Sequence, residues 1–99
     1  MTEVVILKFP AQEQESLAQF RESLADPAIK TQDQQNVALA GHQAIRLVED
    51  LEDGRYLTYL VGDSGAFWVI EFSADRDKFS AFVPLFERSA HSFRLPAAG

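Results

Sequence analysis

Between residues 42 and 72 the chain repeats one pattern three times: a strand-length stretch of alternating residues, then a short turn signal. His42–Leu51 sets Ile45, Leu47 and Glu49 on one face and Ala44, Arg46 and Val48 on the other. Arg55–Val61 separates Tyr56, Thr58 and Leu60 from Leu57, Tyr59 and Val61, and Ala66–Phe72 separates Trp68, Ile70 and Phe72 from Phe67, Val69 and Glu71. A period of two is the signature of a β-strand. Asp53-Gly54 between the first two is a two-residue hairpin signal whose turn positions both take positive φ. Strands this close in sequence can be joined only as antiparallel neighbours, because a parallel crossover takes a dozen or more residues.

The flanks complete the order. Thr2–Phe9 carries Val4, Val5, Ile6, Leu7 and Phe9 and ends at Pro10, reading as a strand. Ala11–Ala25 reads as an amphipathic helix with Leu17, Phe20 and Leu24 on its apolar side, stopped by Asp26-Pro27. Ile29–Leu39 is largely polar and reads as a partly exposed strand closing at Ala40-Gly41. The last third is helical, with an apolar stripe of Phe79, Phe82, Val83, Phe86, Ala90 and Phe93, and with Ser73 or Asp75 as the capping residue. Pro84 in that stripe either kinks one helix or lies in the first turn of a second. The resulting order is β-α-β-β-β-β-α, an α+β domain with helices packed on an antiparallel sheet. Residues 1–95 form a single domain and residues 96–99 a disordered tail.

The chain has 99 residues, 46% of them hydrophobic and eight of them Phe, enough for a real core. Its net charge of -6 and the lack of a basic run argue against nucleic acid and anionic membranes as partners. No apolar run approaches the roughly 20 residues of a membrane-spanning helix. There are no cysteines, which removes disulfides, thiolate nucleophiles and cysteine-based zinc sites. The start of the chain carries no leader, so the expectation is a cytoplasmic protein, or an exported one whose leader has been removed.

Gly62-Asp63-Ser64-Gly65 resembles the tetrapeptide around a protease serine, but it lies between two strands and reads as a turn. His42 and His91 are the only bases available, and a chain this short cannot build the cleft a Ser-His-Asp site requires. The run Glu49-Asp50-Leu51-Glu52-Asp53 lacks the spacing of a calcium loop and reads as a solvated hairpin tip. Catalytic residues, metal ligands and cofactors are therefore not expected. Apolar residues on both faces of the central strands are harder to dismiss. Leu57, Tyr59, Phe67 and Val69 cannot all share a face with Trp68 and Ile70, and a second apolar face needs a helix, a second subunit or a partner to cover it.

Gly41-x-x-Ala44-x-Arg46-Leu47, Tyr59-Leu60 before a glycine turn, Phe67-Trp68-x-Ile70-x-Phe72-Ser73-Ala74, Phe79, and the closing Phe86-x-x-x-Ala90-x-Ser92-Phe93-Arg94 together resemble the PsbP-like superfamily. That group includes the photosystem II extrinsic protein, a Ran-binding nuclear import factor, bacterial lipoproteins of the DcrB and LpqN types, and chaperones of secreted effectors. The resemblance covers residues 35–95 well and residues 3–34 loosely. It implies an α/β/α sandwich around an antiparallel sheet and a binding or scaffolding role without a catalytic motif. Members carry a further N-terminal strand pair with a Pro-x-x-Trp-like segment, which is absent here.

The sequence thus leads to a non-catalytic, self-associating protein-interaction domain, with Leu57, Tyr59, Phe67 and Val69 as partner-binding residues. The alternative is a small-molecule or metal-binding domain with a pocket between helix and sheet near His42, Tyr56 and Trp68.

Overall fold

The computed structural model describes residues 3–10, 16–63 and 66–92. Five strands and two helices follow one another as β1 (Glu3–Pro10), α1 (Leu17–Ser23), β2 (Lys30–Leu39), β3 (His42–Leu51), β4 (Gly54–Asp63), β5 (Ala66–Ala74) and α2 (Arg76–His91). This is the element order expected from the sequence. The strands form one antiparallel sheet in the order β1-β5-β4-β3-β2. Strands β2 to β5 are a meander, and β1 returns to pair along β5, with Ile6 opposite Ile70 and Phe9 opposite Phe67.

The turns differ from the sequence expectation. The β3–β4 loop is Glu52-Asp53, with Leu51 opposite Gly54, and neither loop residue has positive φ. Gly54 instead opens β4, where a Cβ would stand 2.8 Å from the carbonyl oxygen of Ala74. The left-handed hairpin geometry belongs to Ala40-Gly41, at φ 52 and 81. Ala40 holds that conformation without glycine's freedom. The expected turn at Gly62–Gly65 is flanked by the pair Asp63↔Ala66, and its residues Ser64 and Gly65 lie outside the described residues.

Each face of the sheet has its own core. On one, α2 packs along β4 and β5 and buries Phe79, Phe86 and Ala90 against Leu57, Tyr59, Ile70 and Phe72. Phe86 stacks on Phe72 at 5.1 Å and on Phe82 at 5.9 Å. Pro84 sits inside this single helix, where no second helix begins. Its ring takes one N–H out of the ladder and lies on the exposed side. Asp75 occupies the N-cap position without a side-chain capping bond. Phe93 and Arg94, which close the sequence pattern, lie outside the described residues.

On the opposite face α1 covers Ile45, Leu47, Leu60, Phe67 and Val69 with Phe20 and Leu17. Phe20 stacks on Phe67 at 4.5 Å and meets Phe9 at 5.5 Å. This helix starts at Leu17, where Ser16 forms a capping box with Gln19, and residues 11–15 of the expected helix lie outside the described residues. It is over by Ser23, before Asp26-Pro27.

Candidate functional site

The two edges of the sheet are built from opposite chemistry. Strand β2 carries Lys30, Thr31, Gln32, Asp33, Gln34, Gln35 and Asn36, and its register shifts between Thr31 and Asp33. Polar side chains and a bulge are devices that keep an edge from pairing with another chain. Strand β1 has neither over its central residues. Val4 is 55% exposed, Ile6 47% and Leu7 42%. Val4 and Ile6 lie on the α2 side, opposite Phe72 and Ile70, while Leu7 lies on the α1 side, opposite Val69. Both faces of the open edge are therefore apolar. Helix α2 packs mainly on β4 and β5.

A cavity of about 200 Å³ opens on the α1 face, beside the C-terminal end of that helix. Its floor is Leu47, Leu60 and Val69. Arg21 and Glu49 stand at its wall with largely buried side chains, and Arg21 Nη2 lies 3.9 Å from Glu49 Oε2. The same nitrogen donates to Thr31 Oγ1 at 3.1 Å, while Arg21 Nε is buried with no partner among the described residues. Burial pushes the Glu49 carboxyl above the ordinary range, against the opposing pull of Arg21 and a hydrogen bond from Thr31.

A polar clasp ties α2 to the sheet on the other face. Arg46 donates to Glu87 at 2.8 Å and to Asp33 at 3.4 Å, and it hydrogen-bonds the buried Tyr59, whose hydroxyl pKa burial nevertheless raises. The acidic hairpin is compensated as well. Asp50 accepts from Arg55 at 2.7 and 3.2 Å and lies 3.6 Å from Arg76, so Arg55 above all holds its carboxyl below the usual range. Among the described residues no group of three or more His, Asp or Glu is placed to hold a metal ion. No helix of the described residues is long and apolar enough to cross a membrane.

The residues expected to bind a partner are placed differently from the sequence reading. The register sets Leu57 opposite Phe72 and Tyr59 opposite Ile70, so both belong to the α2 core. Phe67 and Val69 belong to the α1 core. All four are buried, on two opposite faces, and offer a partner no surface. The expected ligand group is scattered too. His42 starts β3 and lines an opening of about 700 Å³ beside Ser16 and Gly41. Tyr56 lies near the other end of the sheet, at the wall of the smaller cavity, with its hydroxyl 3.1 Å from Asp53. Trp68 faces the α2 side under Lys8, whose ammonium is 5.3 Å from its ring. Sequence reading missed Val4, Ile6 and Leu7 as surface, and Arg21 and Glu49 as a pair.

No family model matches the sequence, and no curated protein does. Among solved structures, the crystal structure of PA94, a protein of unknown function from Pseudomonas aeruginosa, is similar, with a TM-score of 0.77. The likeness covers 98% of this chain and 74% of that one at 13% sequence identity. At that identity the similarity is one of fold.

Proposed function

We propose that this chain is a non-catalytic protein-interaction domain of the PsbP-like type that self-associates through β1. The sandwich assignment is supported by an antiparallel sheet with one helix on each face. The observation that carries the functional reading is the contrast between the two edges: β2 is polar and bulged, whereas β1 is straight in register and exposes Val4, Ile6 and Leu7. An exposed apolar edge strand is a template for another strand.

A second copy is the occupant whose own edge matches. A two-fold axis normal to the sheet keeps each face on its own side, so residues of the same parity meet. Centred on Ile6, it sets Ile6 opposite Ile6 of the second copy, Val5 opposite Leu7, and Val4 opposite Lys8, whose methylene stem covers apolar surface. Pro10, which has no N–H to donate, falls outside the paired stretch. Light scattering after size exclusion, over about a hundredfold dilution, tests the reading. A mass that falls from dimer toward monomer on dilution from about 1 mM supports it, and a monomer still present alone at about 1 mM refutes it.

A further inference from the structure

The cavity at the end of α1 carries a second inference, independent of the β1 edge. Its volume of about 200 Å³ is room for on the order of ten heavy atoms at the density of a protein interior. The floor is apolar, and the wall carries three ionisable side chains, Arg21, Glu49 and Glu71, of which Arg21 and Glu49 stand side by side with opposite charge. At 3.9 Å the nearest Arg21 and Glu49 atoms are beyond hydrogen-bonding distance, so the pair is close without being closed. Arg21 holds a planar fork with a buried, unpartnered Nε, the geometry that receives a carboxylate through two parallel N–H bonds. Glu49 is an acceptor whose charge is penalised by burial, so a cation placed against it relieves part of that cost.

A ligand with a single charge satisfies one of these groups and is repelled by the other. A simple carboxylate meets Glu49, and a simple amine meets Arg21. A dipolar molecule satisfies both, and the carboxylate and ammonium of an α-amino acid are about as far apart as the two wall groups. We propose that this cavity binds a small zwitterion with an apolar tail, an α-amino acid of leucine size, with its carboxylate on Arg21, its ammonium on Glu49 and its side chain on Leu47, Leu60 and Val69.

The test is titration of the full chain with L-leucine, isocaproate and isoamylamine, followed by calorimetry and by methyl shifts of Leu60 and Val69. Leucine is expected to bind at least about tenfold more tightly than either singly charged analogue, since each analogue engages only one of the two charges and is repelled by the other. Arg21→Lys keeps the charge but loses the fork, and should weaken leucine about tenfold. Glu49→Gln should weaken leucine while leaving isocaproate unchanged or tighter. Absence of leucine binding at millimolar concentration overturns the proposal. So does equal binding of all three compounds, which would reduce the site to its apolar floor. The wild-type titrations decide the matter even if a variant fails to fold.

Discussion

Ile6→Lys is the sharpest probe of the β1 edge. Full burial of an aliphatic side chain contributes about 1.5–3 kcal/mol. Val4, Ile6 and Leu7 are 55%, 47% and 42% exposed, so covering what remains is worth about 1 kcal/mol each by the same scale. Two copies bring six such side chains, about 6 kcal/mol together. A ladder of about six new backbone hydrogen bonds adds about 6 kcal/mol net. Lost translational and rotational freedom, on the order of 5–8 kcal/mol, opposes both. The remaining 4–7 kcal/mol or so corresponds to a dissociation constant between about 1 mM and about 10 μM. In the two-fold register Ile6 faces its own copy. The substitution therefore removes about 2 kcal/mol of apolar burial and sets two ammonium groups roughly 5 Å apart, about 1 kcal/mol of repulsion in water. The expected result is a dimer weakened by about a hundredfold, measured by sedimentation equilibrium, with far-UV circular dichroism unchanged. An undiminished dimer in the folded variant would refute the reasoning, because the register centred on Ile6 sets the two substituted side chains against each other.

Three further predictions concern the scaffold and the cavity. Ala40→Asn should stabilise the protein by about 0.5–1 kcal/mol in urea unfolding, because asparagine accepts the φ of 52 that costs alanine about 1 kcal/mol. Gly54→Ala should lower stability by about 1–3 kcal/mol in the same assay, since the new Cβ meets the Ala74 carbonyl oxygen, a backbone atom that cannot swing aside. Glu49→Gln tests the raised carboxyl pKa. A group whose folded pKa is raised binds more protons in the folded state, so its contribution to stability falls as pH rises from the ordinary value of 4.5 through the folded one. The variant should therefore be more stable than the wild type at neutral pH, with the difference vanishing below that window. A wild type that gains on the variant as pH rises would show that Arg21 outweighs the burial.

The order of elements was legible because period-two alternation and turn residues are local properties. His42–Leu51 reads as a strand with the bounds that the structure gives it. Which faces meet was harder, because alternation within each strand says nothing of the phase between strands. That phase rests on the pair Asp63↔Ala66, which sets Tyr59 against Ile70. Counted through a two-residue connection, the same arithmetic puts Leu57 and Tyr59 under α2 and removes them as a partner surface. The run Val4-Val5-Ile6-Leu7 misleads for a related reason. A continuous apolar stretch is the pattern of a strand covered on both faces, yet strand order places it at the edge, and strand order is a long-range property. Arg21 and Glu49 left no signal at all: 28 positions separate them, and only the return of the chain after α1 sets them side by side.

The cavity and the edge also share a cause in helix length. Seven helical residues extend about 10 Å, whereas a strand of ten residues extends about 33 Å, so α1 covers only part of the face it lies on. Phe20 fixes that part at the Phe67 end, leaving a cavity at the end near Tyr56 and Glu49. Helix α2, with sixteen residues, spans about 24 Å and fills its face along β4 and β5, but one helix is too narrow to shelter a fifth strand as well. Extending α1 would fill the cavity, and a further element along β1 would close the edge. The α2 core is built on β4 and β5 from stacked phenylalanines, with the Arg46 clasp tying the helix to the sheet. The cavity and the β1 edge are the places where apolar surface is left uncovered by that packing.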